Sequence, residues 1–232
     1  SGTFAMQAAA QDMIGFVWSN GYAIMAPWGG HGNRITNAPM AYAIPAGKRD
    51  PILFDISVSA AAGGKVRLAA KKGEKIPLDW ILDKDGRRTA DPSDLPRGGS
   101  LLPMAGHKGY GLAVVCEILN GILVGGPFLT DIPLWFAQTE ERTRSAHNMM
   151  AIDITKFRDL EEFKADVDRL IERLKASPLM EGFDEVLVPG EIEFRLESEY
   201  RRNGIPVPQQ VIADLVSLGD ELGEEAPREW RR

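Results

Sequence analysis

The chain has 232 residues, with 27 Lys and Arg against 33 Asp and Glu, a formal charge of −6. That length can bury a full core without disulfide or metal staples, and 44% hydrophobic with 26% charged residues excludes global disorder. The acidic balance excludes a general nucleic-acid binder, and no apolar run approaches the ~20 residues of a membrane span. Residues 4–14, FAMQAAAQDMI, are Ala-rich with helical spacing and predict a helix. Ile14 to Trp18 predicts a short buried strand that stops at Ser19-Asn20-Gly21. Residues 26–39, APWGGHGNRITNAP, are a long structured loop, and Met40 to Ile44 is a second strand. Ile52 to Ser57 is a third, continuous in apolar character as buried strands are. The small residues from Ser57 to Lys72 predict a closely packed helix, and the turn chemistry of residues 79–99 predicts an exposed hairpin or excursion.

Residues 110–124, YGLAVVCEILNGILV, are the most hydrophobic segment and predict a buried central helix. Met149 to Ile154 predicts a strand, and Thr155 to Ala176 an amphipathic helix with Phe163, Val167, Leu170, Ile171 and Leu174 on one face. Glu185 to Val188 predicts a last strand, followed by helices near 191–202 and 208–222. Strands and helices intermix from end to end without repeats. The expected class is α/β or α+β, one main domain over 1–232, with a mixed central sheet flanked by helices. The single cysteine, Cys116, makes no internal disulfide and suits a reducing, cytoplasmic compartment. The opening Ser1-Gly2-Thr3-Phe4 has no initiator Met and no basic leader, so the chain is expected to begin within a longer protein.

The strongest local signal is Gly106-His107-Lys108-Gly109-Tyr110-Gly111, opening the predicted central helix. Glycines let a ligand approach the backbone, first-turn N–H groups point outward, and Lys108 adds a full positive charge, which is what a phosphate needs. A Gly-rich turn with a solvated Lys is the plainer alternative; the pattern is neither a P-loop nor a Rossmann fingerprint. Asp55-Ile56-Ser57-Val58-Ser59 ends a predicted strand with a helix expected immediately after. Such residues hold a ribose or a phosphate at that helix's N-terminus, or Ser57 or Ser59 simply caps it. The three histidines, His31, His107 and His147, are not spaced as helical metal ligands and have no Cys beside them, so no metal site is expected. Trp28, Trp80 and Trp135 lack a base-stacking context and are expected in packing.

Taken together, several stretches resemble the malate/L-lactate dehydrogenase family of the second type. They are Gln11 to Gly15 with Ser19-Asn20, Ala26 to Gly30, Asn37 to Gly47 and Phe54 to Ser59. Gly64 to Ala69, Leu101-Leu102-Pro103 with Gly106 to Leu112, His147 to Asp153 and Val188 to Glu191 follow in family order. The resemblance implies a non-Rossmann dinucleotide fold binding NAD or NADP along Ser19-Asn20, Asp55 to Ser59, His107-Lys108-Gly109 and Pro189-Gly190-Glu191. It implies a homodimer, a small 2-hydroxy or 2-oxo acid substrate, and an acid/base His and a substrate-gripping Arg in a segment upstream of Ser1. No catalytic residue is therefore assigned within this chain. The expected function is NAD(P)-dependent hydride transfer between a 2-hydroxy acid and its 2-oxo acid. The alternatives are cyclic-imine reduction and a catalytically incomplete dinucleotide-binding fragment.

Overall fold

A computed structural model describes residues 1–138, 140, 142–227 and 230. Within them the chain divides into two compact units, Ser1–Gly190 and Glu191–Arg232.

The first unit is built on four strands: β1 (Met13–Ser19), β2 (Pro39–Ile44), β3 (Ile52–Ser57) and, much later in the chain, β6 (His147–Asp153). They lie in the order β3-β2-β1-β6, and all three pairs are antiparallel, with Phe16 opposite both Tyr42 and Met150. The sheet expected to be mixed is thus antiparallel: β1, β2 and β3 follow one another through loops, and β6 joins β1 antiparallel after the intervening helices. One face carries α1 (Gly2–Ala9), whose Ala5 and Ala9 pack on Val17, Ala41 and Ala43. Small residues on both partners let helix and sheet approach closely, which explains the Ala-rich composition. The predicted helix over 4–14 stops early: Asp12 takes a positive φ of 58°, and Met13 and Ile14 already belong to β1.

The opposite face closes over the main core. Trp18, Met40 and Ile56 of the sheet meet Val58, Met25, Leu101 and Ala113 there. This core also receives α2 (Gly63–Lys72), the small hairpin of β4 (Ile81–Leu82) with β5 (Ser100–Leu101), and α3 (His107–Glu117). Two readings change here. β3 is an edge strand with Phe54 and Asp55 exposed, so its apolar run marks a half-covered edge and not a doubly buried strand. The segment 110–124 is buried on one side only: Ala113, Cys116, Glu117, Asn120 and Gly121 face in, while Val115, Ile118, Ile122, Leu123 and Val124 are exposed. After Glu117 the helix loosens into a π-turn at Ile118–Ile122.

α4 (Leu160–Lys175) follows β6, capped by the Asp159 carboxylate, which accepts from the Glu162 N–H at 3.0 Å. Val167 and Ile171 are its buried positions, whereas Leu170 and Leu174 of the predicted apolar face are exposed. Asp168 fixes the loop after β2 by accepting from the N–H groups of Gly47, Lys48 and Arg49 at 3.1, 2.7 and 3.1 Å. Burial raises its pKa, but those three bonds and the Arg49 charge outweigh burial and hold the carboxyl below its usual 3.8. A carboxylate depressed in the folded state stabilises above its unfolded value, and that stability is lost as pH falls through the folded value. Asp168→Ala is therefore expected to cost about 1 kcal/mol at pH 7 in urea unfolding, after discounting for solvent. The difference should shrink as pH falls through the folded value.

Residues 185–188 form no strand. The Val186 carbonyl accepts from the Lys175 Nζ at 3.0 Å, and the chain is fastened to β3 just beyond, where the Leu53 N–H donates to the Pro189 carbonyl at 3.0 Å. The second unit consists of α5 (Glu191–Asn203) and α6 (Gln209–Leu222). In α5, i,i+4 pairs run from Arg195 to Glu191 and from Arg201 to Glu197. α6 ends on Gly223 in the left-handed region.

Candidate functional site

Two of the sequence-marked stretches meet at one junction. β3 runs out at Ser57, and the chain bends through Val58, Ser59 and Ala60 beside Leu102 to Met104, with Ser59 bridged to Pro103. Val58 N–H donates to Asn37, Ala60 N–H to Leu102 at 2.7 Å, and Met104 N–H to the Val58 carbonyl at 2.9 Å. Gly106 then turns with φ 62° and ψ −118°, a conformation favouring glycine, and α3 begins at His107. A Cβ on Gly109 would stand 2.6 Å from both the Val58 and the Met104 carbonyl oxygens. Only glycine lets the first turn of α3 seat against the strand extension. Val58-Ser59 and His107-Lys108-Gly109 are thus held together by backbone.

Several chemical details depart from the sequence reading. α2 does not follow β3 directly: it begins at Gly63, behind an Ala62 N-cap with no side-chain cap, so neither Ser57 nor Ser59 caps it. Ser59 Oγ instead donates to the Ala61 carbonyl at 2.8 Å, and the two hydroxyls are 3.0 Å apart. Since Ser59 has one proton and it is spent on Ala61, Ser57 must donate to Ser59. Ser57 then offers lone pairs only. At α3, the N–H groups of Lys108 and Gly109 turn back to the carbonyls of Ala105 and Met104. The first-turn N–H groups expected to face outward are thus largely used within the loop, and the Lys108 side chain is the main cation there. It is exposed, and no described carboxylate pairs with it. His107 is exposed beside Trp28, with ring centroids 6.5 Å apart. Trp28, expected in packing, is 51% exposed and lies across Gly106, where a Cβ would meet it at 2.8 Å. Trp80 packs on the core as expected, and Trp135 is exposed.

The other marked residues occupy three further positions. Asp55 sits on the face of the sheet that carries α1, and its Oδ2 accepts from the Gly2 N–H at 2.7 Å, at the positive end of that helix. Its Oδ1 has no partner among the described residues. Ile56 is half-buried on the core side. Pro189-Gly190 reach β3 at Leu53, so closely that a Cβ on Gly190 would stand 2.8 Å from the Leu53 Cβ. Glu191 opens the second unit and pairs with Arg195. Ser19 lies opposite His147 across β1 and β6. Asn20 is buried and spent on structure: its Oδ1 accepts from Ala146 at 2.8 Å, and its Nδ2 donates to Pro127.

Beneath the junction, α3 carries a buried polar group that sequence reasoning did not single out. Glu117 is 4% exposed, and its two carboxylate oxygens accept from the Thr36 and Leu129 N–H groups at 3.4 and 3.1 Å. Burial pushes its pKa up, against the pull of those two bonds. The available signal was one acid inside an otherwise apolar 15-residue run. One residue earlier, burial pushes the Cys116 thiol up to about 11, so it stays protonated, donating to the Ser19 carbonyl at 3.2 Å. Such a thiol is a packing residue and not a nucleophile. No group of three His, Cys, Asp or Glu that could hold a metal ion occurs among the described residues.

Helices and an antiparallel sheet with glycine-permitted junctions at the ends of its strands define an α/β protein with a candidate ligand strip along β3 and α3. The family model described as malate/L-lactate dehydrogenase matches residues 1–216, and the chain belongs to that family. It is 38% identical over 222 residues to an L-sulfolactate dehydrogenase of Methanothermobacter thermautotrophicus, covering 96% of this chain and 62% of that protein. Among solved structures, malate dehydrogenase from Entamoeba histolytica superposes with a TM-score of 0.89 at 27% identity, covering 98% of this chain and 66% of that one. Sulfolactate dehydrogenase from Methanocaldococcus jannaschii gives 0.85 at 36% identity, covering 97% and 64%. The chain thus spans just under two thirds of the length of these relatives.

Proposed function

We propose that this chain binds NAD or NADP and serves an oxidoreductase that interconverts a 2-hydroxy acid and a 2-oxo acid, in the cytoplasm and as a homodimer. The observation that carries this reading is the junction itself, where backbone contacts hold the end of β3, with Ser57, against the first turn of α3, which carries the unpaired Lys108 ammonium. The residues present fit a dinucleotide. Lys108 presents a full charge to a phosphate at the positive end of α3. Ser57, with only lone pairs to offer, and the unpaired Asp55 Oδ1 suit the hydroxyl donors of a ribose. Ser19, Asn20, Pro189 and Gly190 complete the strip in this reading, Asn20 by holding the backbone around it. The bound nicotinamide supplies or accepts the hydride, and the protein's part is rigid positioning. The sulfolactate and malate dehydrogenases that the chain resembles support a hydroxy acid as substrate.

Lys108→Met tests the assignment. Loss of one charged interaction should weaken NADH or NADPH binding by about 1–3 kcal/mol, roughly 5- to 150-fold in Kd by fluorescence titration. Turnover at saturating cofactor should fall far less. Unchanged affinity with collapsed turnover would instead make Lys108 a group that acts on the reacting atoms. A second reading, favoured by cofactor-type residues with no catalytic residue assigned among them, is a dinucleotide-binding module. Cofactor binding with no turnover on malate, lactate, sulfolactate or piperideine-2-carboxylate would select it.

A further inference from the structure

A cavity of about 550 Å³ opens in the first unit between the loop after β1, the second turn of α2 and the stretch 130–138. That volume suits a small molecule. Its walls are mostly apolar, with Ile24, Leu95, Ile132 and Leu134, and Tyr22 meets Phe136 edge to face at 5.5 Å. Among its described lining residues there is one cation, Arg67, and no Asp or Glu, in a chain whose net charge is −6. No described carboxylate pairs with Arg67 anywhere. Gln138 spends its Oε1 on the Leu134 N–H at 2.7 Å, which leaves its amide NH₂ available, and Asn33 and Thr130 add neutral hydrogen-bonding groups. A Cβ on Gly63 would stand 3.5 Å from the Arg67 Nη2 and 3.6 Å from the Ile24 Cδ1, so Arg67 folds back over the start of α2, close behind Ser59 in the chain.

We propose that this cavity is an anion subsite in which Arg67 takes the second acidic group, carboxylate or sulfonate, of a dianionic hydroxy acid. The inference rests on the hydroxy-acid reading above and narrows its substrate class. A planar guanidinium matches a carboxylate or sulfonate in a two-point contact, and neutral donors beside it complete the shell without competing charge. A phosphate is the other anion such an Arg could take. The apolar walls around it, Ile24, Leu95, Ile132 and Leu134, suit the carbon skeleton of a small acid better than a hydrated phosphate chain.

The test is calorimetric titration of the whole protein, with and without NADH, using malate and 3-sulfolactate as dianions and lactate as the monoanion. Arg67→Gln should weaken both dianions about 10- to 100-fold, change lactate less than about twofold, and leave NADH and NADPH affinities unchanged. Arg67→Lys, keeping charge but not the fork, should recover part of the loss, and unaltered unfolding midpoints would show that the fold is intact. Equal dianion affinity in Arg67→Gln would overturn the proposal. So would a selective loss of NADPH affinity, which would place a cofactor phosphate on Arg67, and so would an unsubstituted protein that binds NADH but neither dianion. Failure to bind NADH or NADPH would count against the dinucleotide reading alone, because the titrations without cofactor still decide the role of Arg67.

Discussion

Gly109→Ala should be among the most damaging single-methyl additions in this fold, destabilising it by about 3 kcal/mol. Inside a helix the same change ordinarily gains ~0.5–1 kcal/mol, because alanine loses less backbone freedom on folding. At Gly109 the added Cβ would lie 2.6 Å from two carbonyl oxygens, of Val58 and Met104, and neither is the movable end of a side chain. α3 would have to lift off the strand extension, breaking the Met104-to-Val58 and Gly109-to-Met104 hydrogen bonds. Two residues on, a methyl added at Gly111 would have nothing within 4 Å, so Gly111→Ala should follow the ordinary rule and stabilise. Urea unfolding of the pair gives the comparison. Equal midpoints would mean that the junction is not packed as described. Because Lys108 rides on the same turn, Gly109→Ala should also weaken cofactor binding beyond what its stability loss explains.

How much of the fold is legible in the sequence differs by feature. The strands near 14–18, 40–44, 52–57 and 149–154 can be read because β-branched and aromatic runs sit between Gly, Pro and Asn stops, and that signal is local. The helix over 160–175 is legible from its period. What fails is whatever depends on neighbours. Residues 185–188 have the composition of a strand, yet their segment is tied to β3 at Leu53 without forming a ladder. The apolar stretch 110–124 indicates burial on all sides, whereas much of it is exposed. Hydrophobicity counts apolar side chains but does not say what covers them.

The candidate site divides the same way. Glycines at 106 and 109 announce a close approach, and the approach is there. The Trp28 ring that Gly106 approaches and the Val58 carbonyl that Gly109 approaches are remote in sequence, and only the fold supplies them. Ser57 and Ser59 have the chemistry of helix caps, but the stretch from Val58 to Ala62 separates Ser57 from the start of α2, and the hydroxyls bond along the chain instead. Arg67 is visible in the sequence as a basic residue near the binding segment, but a side chain's reach is a matter of rotamer and packing.

Glu117→Gln should cost about 2 kcal/mol, although the two side chains differ by a single group. Each carboxylate oxygen of Glu117 accepts one backbone N–H, from Thr36 and from Leu129. An amide has one oxygen and one NH₂, so whichever way it turns, a buried backbone N–H faces another donor. The Thr36 side leads into the Asn37 carbonyl that holds Val58, and the Leu129 side leads into the wall of the Arg67 cavity. Loosening at both ends should therefore reach the proposed ligand strip and the cavity together. The pH dependence has a definite sign. Burial raises the Glu117 pKa above its usual 4.5, so between the unfolded and folded values the native state binds more protons than the unfolded one. The Glu117 contribution to stability therefore falls as pH rises through that window, and above it the native protein carries the cost of a buried charge. Glutamine cannot titrate and lacks this slope. The cost of the substitution, read as the difference in unfolding free energy between the two proteins, should be larger near pH 4 than at pH 7. All other titrating groups are common to both proteins and cancel in the difference. A cost that shrinks toward acid would mean that Glu117 is better stabilised as a charge by Thr36 and Leu129 than its burial allows, and a cost near zero at every pH would remove it as the tie between the two loops.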